Sequence, residues 1–537
     1  MSNKATQPDQ VHNPWVILSV LCLAVFMLLL DTTIVNVAQV KIKDDLGASL
    51  TQIQWILDSY ILAYAVLLLS FGRLGDVFGR KRLFMLGMSI FTLASALCAA
   101  SAWIGDQIGV SGVNVLIAAR VLQGIGGAFM MPQSLSLVTV TFPPEQRGAA
   151  MGMWGSIVAA GAILGPIIGG FIVTHYAWEW VFLINLPVGL ASLFLIKTIV
   201  PESTDPQATG KIDWGGVILS GLGIFALVYA SIEGNQLGWT DPVILGAFLL
   251  SACLLFLFVW WEKRADDPIV KLELFRIRNF TVGNIIATII SFGMLGIFFP
   301  MTLFLQQALG YSPLKAGLTM APMSAILMVA APVSGRLVDR VGPRWILFAG
   351  TAVMSLGILF LRAGISDQTT PRSLLPALLI TGIGMGFTFS PMTAAAMRDV
   401  PPRIAGSASG ILNTMRNIGQ VLGIAILGSL LQNRIGAYAR QELPKTDLDT
   451  SQVGHIADLA QQNLFPEIQA ELPTELFGPV FAALRDVFVM AVHSTFLAGA
   501  IACAFAAAAA LLIRNPHTTK VTVVEVGTQM PSLASDG

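Results

Sequence analysis

The chain has 537 residues, 55% of them hydrophobic and only 12% charged, with a mean hydropathy of +0.74. Soluble domains carry roughly 25% charge, so lipid rather than water is the solvent for most of this chain. Lys plus Arg and Asp plus Glu both total 31; no net field exists to recruit nucleic acid, and the placement of each charge becomes the informative quantity.

Apolar runs recur from end to end, each long enough to cross about 30 Å of hydrocarbon. They predict spans at 15–37, 53–72, 82–102, 113–140, 148–173, 180–199, 213–232, 242–262, 279–305, 314–338, 344–363, 373–397, 406–432 and 486–513. The first run begins near Trp15 without a basic n-region or a small-residue cleavage site, and another span follows soon after. It reads as a retained helix, not a signal peptide. Between the last two spans lies the longest non-membrane piece, 434–485. Its Leu464–Phe465, Leu472 and Leu476–Phe477 clusters predict short amphipathic helices on the membrane surface, with a plain polar loop as the alternative.

Basic residues set the orientation. Arg73, Arg80, Lys81, Arg82, Arg147, Lys197, Lys211, Lys263, Arg264, Lys271, Arg276, Arg278, Arg336, Arg340, Arg344, Arg398, Arg403 and Arg514 fall on one side; Lys41, Lys43, Lys315, Arg362, Arg372 and a few in the last long loop fall on the other. The positive-inside rule puts the first set in the cytoplasm. An even number of spans then puts both termini there, in a multi-pass protein of the inner (plasma) membrane. Cys22, Cys98, Cys253 and Cys503 sit in apolar runs without a C-x-x-C and read as inert buried thiols, not as a disulfide framework or metal site. A lone His493 in the last span reads as packed or interfacial. G-x-x-x-x-G-K-[ST] is absent, which removes the simplest route to ATP, and no cofactor motif replaces it.

The two halves repeat. Gly124-Ile125-Gly126 recurs as Gly382-Ile383-Gly384, Pro143-Pro144 as Pro401-Pro402, and Gly152, Gly161 and Gly165 as Gly410, Gly419 and Gly423, all at one separation. Gly72-Arg73-Leu74 and Asp76 recur as Gly335-Arg336-Leu337 and Asp339. The register matches spans 1–6 with spans 9–14 and leaves spans 7 and 8 as an insertion. Parallel repeats of this kind build carriers whose substrate site lies between two bundles.

Four ionisable residues fall deep in spans: Asp31, Asp58, Arg120 and Arg416. Charges there are costly and are functional candidates by default. A carboxylate in a low-dielectric cavity can exchange protons near neutrality, and a guanidinium that approaches and withdraws would switch its proton affinity. Asp58, toward the outer half of span 2, offers a charge for cationic substrates instead. The loop Gly72-Arg73-Leu74-Gly75-Asp76-Val77-Phe78-Gly79-Arg80-Lys81-Arg82 combines a tight glycine turn with an acid able to cap a neighbouring helix N-terminus. Its arginines can pair across a bundle boundary and so favour one conformer. Gly161, Gly165 and Gly169 share a helical face, which lets helices approach closely. Phe298, Phe299, Met301, Met320, Met323, Phe387 and Phe389 offer adaptable apolar surface in the second half.

The 72–82 loop resembles the loop signature of the major facilitator superfamily. Leu30-Asp31-Thr32-Thr33-Ile34-Val35-Asn36-Val37-Ala38 is similar to the first-helix signature of its fourteen-helix drug:proton antiporters, the QacA/EmrB-like branch. Arg120 through Ala128 resembles the fourth-helix motif, Gly161 through Gly170 the fifth-helix antiporter motif, and Phe182 through Gly189 the start of span 6. Trp178-Glu179-Trp180 and Arg416-Asn417-Ile418-Gly419-Gln420 depart from the branch pattern. The resemblance implies an all-α integral membrane protein of major facilitator fold. It would comprise a cytoplasmic N-terminus at 1–14, a six-helix bundle at 15–200, a linker with two inserted helices at 201–278, a second bundle at 279–513 and a tail at 514–537. It implies no enzyme but a proton-coupled antiporter, exporting small hydrophobic, even cationic, drugs by alternating access. A dedicated exporter of one metabolite, antibiotic or lipid is the alternative on the same fold. Proton coupling would fall to Asp31, Asp58 and Arg120. Substrate binding would fall to Asp31, Asp58, Phe299, Phe387, Asn413 and Arg416. Conformational control would fall to Gly72, Arg73, Asp76, Gly79 and Arg80, and to the helix with Gly161, Gly165 and Gly169, bent by Pro166 and set against the opposite bundle. Partners would be the substrate, protons and the bilayer, plus a periplasmic adaptor in a host with an outer membrane. A membrane-embedded enzyme would need a nucleophile–base pair or metal ligands clustered in the spans, and the sequence offers none.

Overall fold

The computed structural model describes residues 13–205, 211–366, 369–446, 448–461, 468–469 and 471–515. Nearly all of the predicted terminal segments, and Leu464–Phe465, lie outside the described residues. Among the described residues every regular element is helical. The first bundle contains α1 (Pro14–Leu46), α2 (Leu50–Phe78), α3 (Arg80–Ala99), α4 (Ser101–Ile108), α5 (Gly112–Thr141), α6 (Arg147–His175), α7 (Trp180–Leu183) and α8 (Asn185–Ile199). Two helices follow, α9 (Trp214–Leu237) and α10 (Pro242–Glu262). The second bundle contains α11 (Arg278–Leu303), α12 (Pro313–Val341), α13 (Pro343–Gly364), α14 (Pro371–Arg398), α15 (Ala405–Glu442) and a last helix, Thr474–Ala510, with the short α16 (Thr450–Gln461) outside it.

Local chemistry starts these helices where it should. Asn13 caps α1 through the Trp15 amide, with Pro14 in the first turn. Ser49 and Gln52 form a capping box at α2, and Thr370 and Ser373 do so at α14. The α2–α3 turn is made by Gly79 at φ +110° and its counterpart α12–α13 by Gly342 at φ +89°, a backbone region closed to side-chain-bearing residues.

Among the described residues, twelve helical stretches are long and apolar enough to cross a bilayer. They coincide with predicted spans 1–4, 6–8 and 10–14. α6 and α11, of 29 and 26 residues, lie where spans 5 and 9 are expected, and the prediction of fourteen crossings rests on these two. α10 turns Leu245, Leu249, Phe256 and Val259 outward, as a lipid-facing helix does. The prediction for 434–485 needs correction. α15 continues to Glu442 and the last helix already begins at Thr474, so much of the expected loop is helix. Good helix formers such as Ala437, Ala439, Arg440, Gln441 and Glu442 carry α15 past the apolar run. α16 lies against it, burying Ile456, Ala457 and Ala460. Three cysteines are buried, but Cys253 is exposed on the outer surface of α10.

The repeat is visible in space as well as in sequence. Gly124 of α5 lies against Tyr60 of α2; Gly382 of α14 lies against Met323 of α12. Gly126 meets Phe91, and Gly384 meets Met354. The bundles join through two further equivalent pairs, α6 with α12 and α2 with α15. At these crossings Gly148 touches Gly335, and Gly72 touches Gly406 and Gly410, backbone against backbone. Both crossings are tight at the end carrying the basic loops. α1 and α11 do not pack extensively on each other among the described residues.

A methyl group at Gly72 would strike the Gly406 carbonyl and the Gly410 Cα, which are backbone atoms with no rotamer to yield. Overpacking of this kind costs about 1–3 kcal/mol. Gly72→Ala is therefore expected to open this crossing, read as faster alkylation of a Ser407→Cys reporter by a water-soluble thiol reagent. Gly246→Ala, where a Cβ meets nothing within 4 Å, is expected to leave the reporter unchanged.

Candidate functional site

Asp31 sits at the centre of a closed polar network inside the first bundle. Its side chain is fully buried, and three side chains donate to it. Arg120 Nη1 donates to Oδ2 at 2.6 Å, Gln123 Nε2 to Oδ1 at 2.9 Å and Asn185 Nδ2 to Oδ1 at 2.8 Å. Arg120 Nη1 also donates to Gln123 Oε1 at 2.6 Å and its Nε to the Ile56 carbonyl at 3.1 Å. Ser95 Oγ accepts from Gln123 at 2.7 Å and from Asn185 at 3.3 Å. The network thus joins α1, α2, α3, α5 and α8. Burying a charge pair in this way is affordable only when its remaining hydrogen-bonding capacity is met.

Aromatic rings lead from this network toward the second bundle. The Arg120 guanidinium lies 4.3 Å from the Tyr60 ring centre, and Tyr60 and Tyr64 are stacked at 6.1 Å. Tyr64 is an electrostatic neighbour of Arg416 on α15, whose guanidinium lies 5.7 Å from the Phe389 ring. Arg120 and Arg416, expected in opposite halves, are thus linked through one face of α2. Asn413 is buried one turn before Arg416 and donates to the Ser409 carbonyl at 2.9 Å. Ser409 in turn donates to the Pro132 carbonyl of the first bundle at 2.8 Å.

Asp58 stands apart from Asp31. It is half-buried and has Glu233 of α9 as its electrostatic neighbour. Phe387 packs with Val338, Ile346 and Ala394 and lies against Gly350 of α13, inside its own bundle. The side chains of Phe299 and Pro166 lie outside the described residues. Gly161, Gly165 and Gly169 face Leu29, Thr33 and Ile34 of α1, in the same bundle. α6 does meet the opposite bundle, but a half-helix earlier, where Gly148 and Gly152 lie against α12. His493 is packed, with the Ile365 carbonyl 3.0 Å from its ring nitrogen.

The second constellation closes the basic-loop end. Asp76 Oδ1 and Oδ2 accept from the Gly406 and Ser407 amides of α15, both at 2.7 Å. A carboxylate of one bundle therefore caps a helix of the other, where the helix dipole favours negative charge. Arg80 holds the same carboxylate at 2.6 Å and reaches on to the Pro402 and Arg403 carbonyls at 2.7 and 3.0 Å. The repeat supplies the mirror contact. Asp339 accepts from the Gly148 and Ala149 amides of α6 at 2.9 and 2.8 Å. The residue matching Arg80 is Pro343, and Arg147 instead spans the bundles, its Nη1 2.9 Å from the Arg398 carbonyl.

Gln123 and Asn185 lie within sequence motifs but were not legible as ligands of Asp31. Gln123 follows Arg120 by three residues, on the same helical face, and that spacing is a usable signal. Ser95 carries no sequence signal. Arg147 had only its position in a basic loop.

Loss of a side-chain cap costs about 0.5–2 kcal/mol. Asp76→Ala and Asp339→Ala are both expected to slow transport in reconstituted vesicles. Asp76→Ala should have the larger effect because it also releases Arg80.

The Major Facilitator Superfamily profile matches residues 21–424. The Tetracenomycin C resistance and export protein of Streptomyces glaucescens is 36% identical over 510 residues, covering 94% of this chain and 92% of that protein. The Methylenomycin A resistance protein of Bacillus subtilis is 36% identical over 79% of this chain and 89% of its own. The Multidrug resistance protein Stp of Mycobacterium tuberculosis is 35% identical over 81% of this chain and 79% of its own. Among solved structures, the human organic anion transporter MFSD10 superposes with a TM-score of 0.58 at 12% identity, covering 93% of this chain and all of that one. The shared fold is what that likeness shows. The chain is a multi-pass membrane transporter of small molecules, not an enzyme, and it belongs to the major facilitator superfamily.

Proposed function

We propose that this transporter is a drug exporter of the inner membrane that exchanges its cargo for protons, with both termini in the cytoplasm and its spans divided six, two and six. The observation that carries the reading is Asp31, fully buried and held by Arg120, Gln123 and Asn185. A proton placed on Asp31 removes the charge that holds Arg120. The guanidinium is then free to move with α5 and the Tyr60–Tyr64 stack, toward the bundle boundary where cargo binds. Loss of the proton to the other side restores the pair. The carrier thereby couples proton flow to the swing between two conformers. The basic-loop end is the cytoplasmic gate in this reading, which is supported by the Asp76 and Asp339 contacts that join the two bundles there.

Cargo recognition is assigned to Asn413 and Arg416 on the α15 face toward the first bundle, and to Asp58, which neighbours Glu233 of the inserted α9. A single-compound exporter is the second reading. It is favoured by the relatives named for tetracenomycin C and methylenomycin A; Stp, named for multidrug resistance, favours the first.

Proteoliposomes with an imposed pH gradient test both. Gradient-driven uptake of lipophilic cationic dyes is expected, together with its loss by about tenfold or more in Asp31→Asn at normal protein yield. Wild-type uptake by Asp31→Asn would remove the proposal. Uptake of only one compound from a chemically mixed panel would establish the single-compound reading.

A further inference from the structure

The linker that carries the chain from α8 into the inserted helices docks on the same turn that holds the cytoplasmic gate. Asp205 is wholly buried there. Its carboxylate lies 3.7 Å from Arg73 Nη1 and 3.4 Å from Lys271 Nζ, and its amide donates to the Asp76 carbonyl at 2.7 Å. Two residues earlier, Ser203 Oγ accepts from Arg80 Nη1 at 2.7 Å, and the Ser203 carbonyl accepts from the Arg80 amide at 3.0 Å. Glu202 accepts from the Lys81 and Arg82 amides at 3.1 Å and so caps α3. Arg80 is therefore held from three sides: by Asp76, by the second bundle's carbonyls, and by the linker.

Lys271 lies on the far side of the insertion, after α10. Asp205 therefore ties the entry of the inserted pair to its exit, with Arg73 of α2 between them. The two inserted helices are also fastened to each other at this end. Asp213 Oδ1 accepts from the Gly216 amide at 2.9 Å and from Trp261 Nε1 at 2.8 Å. Buried Glu262, at the end of α10, accepts from the Val270 amide at 3.1 Å and lies within electrostatic reach of Arg73. The second gate has a related cap: Asn515, after the last helix, accepts from the Arg344 amide at 3.1 Å, as Glu202 does for α3. The charged clamp through Asp205 reaches the insertion.

From this geometry we propose that Ser203 and Asp205 are positioning residues of the transport cycle: they hold Arg80 and Arg73 in the closed gate and thereby tether gate opening to movement of the inserted helix pair. The inserted helices then act as a brake on one gate. Neutralising Asp205 leaves Arg73 and Lys271 facing each other with their shared counter-charge removed, which loosens the linker from Asp76. Removing the Ser203 hydroxyl frees one arm of Arg80 without touching any charge. The inference rests on the reading of this end as a gate and adds the insertion to it.

The test uses the full-length protein in nanodiscs, spin-labelled at Phe78→Cys in the first bundle and Pro402→Cys in the second, both exposed positions at the α2–α15 gate. Inter-label distances measured by pulsed electron resonance report gate opening. Asp205→Asn is expected to raise the open fraction about fivefold or more, Ser203→Ala by less, and Asp205→Glu to restore the closed distribution. Transport should follow, with KM for cytoplasmic cargo lower and kcat lower in Asp205→Asn. The Asp205→Asn, Arg73→Gln double variant is expected to be no worse than either single one, because both break the same contact. An unchanged distance distribution in Asp205→Asn and Ser203→Ala, or additive effects in the double variant, would overturn the proposal. Should Asp205→Asn fail to fold, Ser203→Ala and Asp205→Glu decide it: closed-state distances in Ser203→Ala would overturn it. A gate that opens normally in these variants while Asp31→Asn still abolishes proton-driven uptake would sink this inference and leave the proposed function standing.

Discussion

A carboxylate of one bundle sits on the exposed amides at the start of a helix of the other, and the closed state is organised around that contact. Asp76 reaches Gly406 and Ser407 only because Gly72 lets α2 touch the α15 backbone, and because Gly79 turns the chain sharply enough to bring Arg80 back onto the same acid. Each helix N-terminus carries amides without intrahelical partners. Satisfying them with an acid from the opposite body makes the bond one that must break when the bodies part. Asp339 repeats the device on α6. Duplication has thus given two inter-bundle caps of one design, and divergence has made them unequal: Arg80 strengthens one, while Arg147 serves beside the other.

The Asp31 network answers to a different constraint. It lies within one bundle, so it need not break when the bundles part. Its cost is the desolvation of two charges, and its hydrogen bonds are arranged to meet that cost only in the paired form. In the proposed cycle, a proton on Asp31 would change which arrangement is satisfied. The stacked Tyr60 and Tyr64 rings lie between Arg120 and Arg416, and so give the proposed change a contiguous path across the α2–α15 contact.

Much of this was legible in the sequence, for definite reasons. Apolar length gives spans because a helix must satisfy its own backbone in lipid, and it predicted the positions of all twelve helical stretches that are long and apolar enough among the described residues. The acid–glycine–arginine loop was readable because its residue types have few other uses at that spacing. Asp31 and Arg120 were readable because intramembrane charge is rare. What escaped notice has the opposite character. Ser95, Gln123 and Ser203 are ordinary polar residues whose roles depend on what tertiary packing sets beside them. The glycine triad from Gly161 was correctly read as a close-packing face, but periodicity cannot name the partner, and the partner is α1. Phe387 met the composition expected of a pocket, yet its ring packs against α12 and α13. The ends of α15 and the last helix were misjudged because hydropathy reports where lipid ends, not where a helix does.

The central claim is that the protonation state of Asp31 governs whether the cytoplasmic gate is closed. Its most direct test is the pH dependence of the gate-end distance in nanodiscs, with labels at Glu145→Cys and Val341→Cys, compared between the wild-type background and Asp31→Asn. The account predicts a distance distribution that shifts with pH in the first and stays fixed in the second. An equal shift in both would contradict it.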